Sequence, residues 1–303
     1  MKLLHQNASP ETLKFVRVWV FGIWFLIIAQ DPIHLLSFLP ISVFEPVGFL
    51  RIIPMSLRPL LINSLFLYGL KIVTLISLVL VILNIFSKPA GVFACIFLTV
   101  YRGVVRGFGG HISHDDLVLL YAAYFLALFP LADAMVQEGK WAGFSPSRSL
   151  KDGSIVETAN HMTVNLNGIP LIAILSTMCF TYTLVGVYRI VHGGIETFTS
   201  GSITFWALRN SFQVLHPTLG FGKFLLDYPL FDKMLNFGFA FITLFEVFAP
   251  LCLFSRWFRY AFLAVMIPFH FLSWIIMEVF FWENLALYII FFDLKRNGKD
   301  VAS

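Results

Sequence analysis

Runs of apolar residues recur along the whole chain and are separated by short polar connectors. A helix needs about 20 mostly apolar residues to cross the hydrocarbon core of a bilayer. The pattern therefore predicts about eight transmembrane helices, with seven to nine as the range. Their expected bounds are 14–29, 60–86, 89–105, 116–135, 169–191, 231–254, 257–277 and 279–292. The last run is short, so it would cross only a locally thin bilayer or at a favourable tilt.

The connectors between the spans also indicate structure. Four prolines cut the segment after the first span into pieces too short to cross a membrane, and we predict an interfacial or re-entrant elbow there. They are Pro32, Pro40, Pro46 and Pro54. Residues 137–166 are expected to be a polar loop, and residues 193–228 an amphipathic surface region. The predicted fold class is therefore all-α: a polytopic transmembrane helix bundle with interfacial helices, formed by a single domain over residues 1–303.

Composition supports the membrane assignment. Charged residues make up 13% of the chain and hydrophobic residues 58%, whereas charged residues are about 25% of an ordinary soluble domain. The net charge of +4 is small, which argues against a nucleic-acid partner and leaves the lipid bilayer as the expected one. The first residues contain no apolar stretch before Lys14, so the first span itself is expected to direct insertion.

The distribution of Lys and Arg predicts the orientation. With the N-terminus inside, more of these residues flank the inner ends of the eight predicted spans than the outer ends. Cytoplasmic loops carry this excess in membrane proteins. We therefore expect a multi-pass protein of the plasma or inner membrane with both termini in the cytoplasm.

A few charged or ionisable groups fall inside predicted spans, where they are costly and mark functional candidates. Arg17 and Lys71 can also be explained by long side chains that reach the interface. Glu246 lies near the middle of an apolar run and needs a proton or a partner, for which Arg17, His270 and His192 are the candidates. His270 is also mid-span, and an acid on a neighbouring helix would make a functional role more plausible.

The stretch GGHISHDD, residues 109–116, carries two histidines and two aspartates between two apolar runs. Asp115 and Asp116 suit the N-terminus of a helix starting near Leu117. Their negative charges interact favourably with the positive, N-terminal end of the helix dipole. Capping does not explain His111 and His114. A divalent metal is an alternative, but further ligands at motif spacing are lacking, so no metal site is predicted.

Four segments resemble, in order, the horizontally transferred transmembrane (HTTM) family, which is related to the vitamin K-dependent gamma-carboxylase. They are SPETLKFVRVWVFGIWFL with Arg17, GGHISHDDLVLLYAAYFLALFPLADAM with His114, FITLFEVFAPLCLF with Glu246, and PFHFLSWIIMEVFFWENLALYIIFF with His270. The resemblance covers most of the chain. It implies a membrane domain in which a base deprotonates a reduced quinone, and in the carboxylase the product is a carboxylated glutamate of a peptide.

The chain departs from the carboxylase at its catalytic lysine. That lysine lies in a stretch of the form Gly-x-Lys-Lys-Leu-x-x-x-Trp-x-x-Gly, and the corresponding stretch here is VYRIVHGGIETFTSGSITFW. Aligning on Gly201 puts His192 and Gly193 at the two lysines and Phe198 at the tryptophan. His192 is either a substitute base, since histidine titrates near neutral pH, or a sign that the carboxylase chemistry is lost.

Two hypotheses of different classes follow. In the first, the chain is a membrane enzyme in which His114, His192, Glu246 and His270 are catalytic and line an intramembrane pocket. The resemblance implies reduced vitamin K or menaquinone, or another lipid-like substrate, with Arg17 and His111 as cofactor-binding residues. In the second, the chain is a non-catalytic scaffold for the processing, export or immunity of a secreted peptide, which requires a peptide or partner protein.

Overall fold

The structure is a computed structural model, and it describes residues 8–108, 114–137, 167–194, 198, 228–277 and 281–292. Every regular element in these ranges is an α-helix or a 3-10 helix, so the all-α prediction is confirmed for this part of the chain. The contacts divide the chain into two compact units. The N-terminal unit lies within His5–Ala173 and the C-terminal unit within Ile174–Asp293.

Four long helices and the start of a fifth form the N-terminal unit. They are α1 (Pro10–Gln30), α2 (Ser64–Ile82), α3 (Ser87–Gly107), α4 (His114–Gln137) and the first turns of α5 (Gly168–Gly193). Helix α1 begins at a cap, because Ser9 Oγ accepts a hydrogen bond from the Thr12 amide at 3.2 Å and Pro10 occupies the first turn. Short 3-10 turns bounded by the elbow prolines and a one-turn α-helix (Arg58–Leu61) connect α1 to α2. The predicted interruption of this segment is confirmed, and its interfacial or re-entrant position stays a prediction.

The C-terminal unit contains the rest of α5, from Ile174 onward, and the elements that follow it. These are α6 (Pro229–Val247), a 3-10 turn (Ala249–Leu253), α7 (Arg256–Met277) and α8 (Trp282–Leu287), which continues into a last 3-10 turn (Tyr288–Phe291). Helices α6 and α7 are joined by a short connection and contact each other, so they form an antiparallel hairpin.

Within the described ranges, five helices are long and apolar enough to cross a membrane: α1, α2, α3, α5 and α7. Large apolar side chains are exposed on their surfaces, among them Leu65, Leu184 and Leu272, which is expected when the surrounding solvent is lipid. The chain is therefore a membrane protein. The sequence predicts about eight spans, and the spans in addition to these five stay a prediction.

Two predicted element boundaries are wrong. The run 231–254 is not one helix, because α6 ends at Val247 and a 3-10 turn follows. Pro250 has no amide hydrogen to donate and its ring crowds the preceding turn, which disfavours the α-helix there. Helix α4 begins at His114 rather than near Leu117, so the backbone of Asp115 and Asp116 belongs to its first turn.

Candidate functional site

The first feature of the C-terminal unit is an ion pair between α5 and α6. Arg189 Nη1 donates to Glu246 Oε2. Glu246 is 2% exposed and Arg189 24% exposed, and the Arg189 guanidinium carbon lies 4.8 Å from the centroid of the Phe239 ring. The prediction that Glu246 is paired rather than isolated is confirmed. The partner Arg189, however, was not among the three candidates, Arg17, His270 and His192.

The backbone beside Glu246 is polar as well. Pro250 removes the amide that would normally bond to the carbonyl of Glu246, four residues earlier. The Thr183 hydroxyl of α5 lies at this place, with Oγ1 2.9 Å from the Cys179 carbonyl oxygen and 3.4 Å from the carbonyl oxygens of both Glu246 and Val247. A hydroxyl donates only one hydrogen, so its shortest hydrogen bond stays within α5, and the hydroxyl adds one more polar group beside the freed Glu246 carbonyl.

Gly186 allows the two helices to come this close. A Cβ atom added at Gly186 would lie 3.0 Å from the Val247 amide nitrogen and 3.1 Å from Glu246 Cβ. Small residues let helix backbones approach in membrane proteins. Gly186 thus lies between Thr183 and Arg189 on the face of α5 that meets Glu246.

The second feature is a buried cluster of two tyrosines and a histidine, which we call the Tyr–His cluster (Tyr182, His270 and Tyr288). The Tyr182 and Tyr288 hydroxyls are 2.5 Å apart. His270 Nε2 lies 3.1 Å from the Tyr182 hydroxyl and 2.9 Å from that of Tyr288. The three residues are between 2% and 8% exposed, so three groups that can exchange protons meet in a site that is almost fully buried.

Aromatic rings surround the Tyr–His cluster. Phe262 meets the Tyr182 ring edge-on at 5.4 Å, and Phe281 meets the His270 ring edge-on at 5.2 Å. The cluster draws its members from three elements: α5, α7 and the 3-10 turn after α8. The ion pair and the Tyr–His cluster share helix α5, which carries both Arg189 and Tyr182.

The residues that the sequence predicts for the site lie in different surroundings in the structure. Glu246 and His270 both lie in the C-terminal unit, in the two features just described. His192 is exposed on the last turn of α5, where Nδ1 lies 3.2 Å from the Tyr188 carbonyl oxygen and the two rings stack at 4.0 Å. Its role as a base stays a prediction. The surroundings of the His114 side chain, and His111 altogether, lie outside the described residues.

The two basic residues of the early spans have local partners in the N-terminal unit. Arg17 Nη2 donates to Asn84 Oδ1 at 2.7 Å. Lys71 Nζ donates to the carbonyl oxygens of Ala29 at 3.0 Å and Asp31 at 2.7 Å, which stabilises the C-terminal end of α1. A role for Arg17 in binding a cofactor is a prediction that these contacts do not test.

Sequence reasoning missed Arg189, Tyr182, Tyr288 and Thr183. Arg189 lies near the end of a predicted span. A basic residue at such a place is usually explained by contact with lipid headgroups. The spacing of Tyr182, Gly186 and Arg189 at i, i+4 and i+7 puts them on one helix face. That face was the available signal, since it carries a tyrosine, a glycine and an arginine within an otherwise apolar helix.

An apolar groove lies in the same unit, between α6 and α7. It has a volume of about 330 Å³. The predicted catalytic residues His192, Glu246 and His270, whose side chains are described, do not line it. Within the described part of the chain, no group of three or more His, Cys, Asp or Glu residues is arranged to hold a metal ion.

These features define a class: an all-helical, multi-pass membrane protein whose C-terminal unit buries an ion pair and a Tyr–His cluster. Comparison with protein-family models, with curated proteins and with solved structures finds no match to this chain.

Proposed function

We propose that this protein is a membrane enzyme that performs acid–base chemistry on a reduced quinone or a similar lipid-like substrate. The observation that carries the proposal is the Tyr–His cluster, in which His270 Nε2 and two tyrosine hydroxyls meet within 3.1 Å of one another. Histidine is the side chain that most often gives and takes protons near neutral pH. In the lipid environment, a buried polar centre of this kind is a functional candidate by default.

The buried ion pair supports the same proposal. Apolar residues of similar size often stabilise a protein as well as a buried ion pair does, or better. Stability alone is therefore a weak reason to bury Glu246 against Arg189. Arg189 and Tyr182 lie seven residues apart on α5, on one face of the helix, so the ion pair fixes the helix that supplies one tyrosine of the cluster, and enzymes gain much of their rate from such preorganised groups.

The residues present fit a reduced quinone. Such a group has hydroxyl oxygens and an aromatic ring, and the cluster offers hydroxyl and imidazole groups surrounded by the rings of Phe262 and Phe281. When bound, the quinone would supply reducing equivalents and an ionisable hydroxyl. Tyr182, His270 and Tyr288 are the residues that would hold it, while the aromatic shell excludes water.

The protein's own groups define a proton path. A substrate hydroxyl gives its proton to the Tyr288 or Tyr182 hydroxyl, which passes its own hydrogen to His270 Nε2, so the tyrosine stays neutral and the positive charge rests on the His270 imidazolium. The Arg189–Glu246 ion pair fixes the position of α6 against α5, the helix that carries Tyr182. In this scheme His270 is the base, Tyr182 and Tyr288 orient it, and Arg189 and Glu246 are positioning residues.

The resemblance to the HTTM family supports the quinone as substrate class and adds further candidates. It implies roles for Arg17 and His111 in binding and for His114 and His192 in catalysis. His192 stands where the carboxylase has its lysine, and its exposed position against Tyr188 favours the second candidate function, a non-catalytic scaffold for a secreted peptide. A scaffold would need the polar cluster only for stability and would turn over no quinone.

The test is quinol oxidation by the purified protein in lipid vesicles supplied with menaquinol and oxygen. We expect oxidation above the protein-free rate, and a decrease of about 100-fold or more when His270 becomes asparagine, since general bases contribute that much. The matched control is His34→Asn, because His34 stacks on Tyr68 in the N-terminal unit. Equal rates for the wild type and both variants would exclude the enzyme and leave the scaffold.

The orientation is proposed with both termini in the cytoplasm of a plasma or inner membrane. Cysteines placed at positions 303 and 147 should then resist a membrane-impermeant thiol reagent in intact cells and react after permeabilisation. The native cysteines Cys95, Cys179 and Cys252 are buried and should contribute little background. Labelling of either position in intact cells would reverse the assignment.

A further inference from the structure

The groove between α6 and α7 is open to the outside of the protein. Met234 and Leu272 at its edge are 60% and 51% exposed. Phe239 and Phe269 form part of its wall, and a Cβ atom added at Gly238, which also lines it, would meet nothing within 4 Å. On the surface of a membrane protein, an apolar groove of this kind faces hydrocarbon rather than water.

One polar group interrupts the apolar lining. Ser273 is 3% exposed and lines the groove, and its Oγ has no hydrogen-bond partner within the part of the chain that the structure describes. A buried hydroxyl without a partner is destabilising, so native structures rarely leave one unsatisfied. The groove therefore offers a ligand one hydrogen-bond donor in an apolar channel.

The position of Ser273 along α7 places it near the edge of the bilayer. Ser273 follows Arg256, at the start of α7, by 17 residues, which corresponds to about 26 Å along a helix axis and nearly crosses a hydrocarbon core of about 30 Å. Trp274 and, at the start of α6, Tyr228 are partly exposed at the same end of the hairpin. Aromatic residues of this type mark the membrane–water interface.

We propose that this groove binds one acyl chain of a bilayer phospholipid. The chain fills the space beside Gly238, and the Ser273 hydroxyl donates a hydrogen bond to the ester carbonyl. A volume of about 330 Å³ is at the low end for a whole ligand and suits one chain. The proposal does not rest on the proposed enzyme activity.

The experiment uses the full chain in nanodiscs that contain phosphatidylcholine with a photoreactive diazirine in one acyl chain. After irradiation, proteolysis and mass spectrometry locate the adducts. We expect enrichment on α6 and α7 above the other lipid-exposed helices. Gly238→Leu should reduce these adducts severalfold by filling the groove, and Ser273→Ala should weaken retention by about two- to tenfold, the effect of one neutral hydrogen bond.

The matched control is Gly69→Leu in α2, since Gly69 also has nothing within 4 Å of an added Cβ; it should leave the adducts on α6 and α7 unchanged. Adducts spread evenly over all exposed helices, or unaffected by Gly238→Leu, would overturn the proposal. So would displacement of the labelled lipid by an unlabelled prenyl quinone but not by unlabelled phospholipid. Absence of adducts on α6 and α7, as when a segment of the chain itself fills the groove, would overturn it too.

Discussion

Replacing Arg189 by methionine should destabilise the C-terminal unit by about 3 kcal/mol, the lower end of the cost of breaking a buried ion pair. The lower end applies because Arg189 keeps a quarter of its side chain exposed, at 24%, while Glu246 keeps 2%. The loss should appear as a fall in Tm of about 6–12 °C in detergent, at roughly 2–4 °C per kcal/mol for a large domain. The variant leaves the Glu246 carboxylate buried without its guanidinium partner.

Two further variants make this result specific. Arg189→Met combined with Glu246→Leu should recover most of the lost stability, because no charge is then left buried. Arg256→Met is the matched control, since Arg256 is exposed and stacks on the Tyr260 ring at 5.4 Å, a contact worth about 0.5–1 kcal/mol. If the double variant is as unstable as the single one, the ion pair does not account for the effect.

Tyr288→Phe should abolish turnover while leaving most of the stability. The change removes the hydroxyl that contacts both Tyr182 and His270, which costs about 1–3 kcal/mol for a buried hydrogen-bonded group. The rate should fall by about 100-fold or more if the hydroxyl orients the base. The measurement pairs quinol oxidation in vesicles with thermal unfolding of the same preparation.

Tyr188→Phe is the matched control on α5. Tyr188 is 62% exposed and its ring stacks on His192, so the loss of its hydroxyl should change neither rate nor Tm. A Tyr288→Phe variant that is destabilised as expected but turns over at the wild-type rate would show that the Tyr–His cluster serves stability alone.

The helices could be predicted from the sequence because membrane spans are determined by local composition and length. The apolar runs gave most helix bounds to within a few residues, and the cap at Ser9 and Pro10 fixed the start of α1. The end of α6 was misplaced because the run 231–254 stays apolar beyond Pro250. Hydropathy does not register the missing amide of that proline, whereas backbone hydrogen bonding does.

The site could be predicted only in part. Glu246 and His270 were identified because a carboxylate and an imidazole are conspicuous in apolar runs. Arg189 is ordinary near a span end and tyrosines are ordinary within apolar runs, so the role of these residues depends on which faces of α5, α7 and the last 3-10 turn meet. That packing depends on close approach of two helices at positions such as Gly186. A single sequence does not show which glycines bring helices together.

The most direct test of the central claim is mass spectrometry of the protein purified in mild detergent from a quinone-producing host. The account predicts that an isoprenoid quinone co-purifies with the wild type, and that Tyr288→Phe and His270→Asn retain less of it while Tyr188→Phe retains the wild-type amount. Absence of any quinone from the wild type, together with no binding of added menaquinol that either cluster substitution alters, would contradict the claim that the Tyr–His cluster is the site of quinone chemistry.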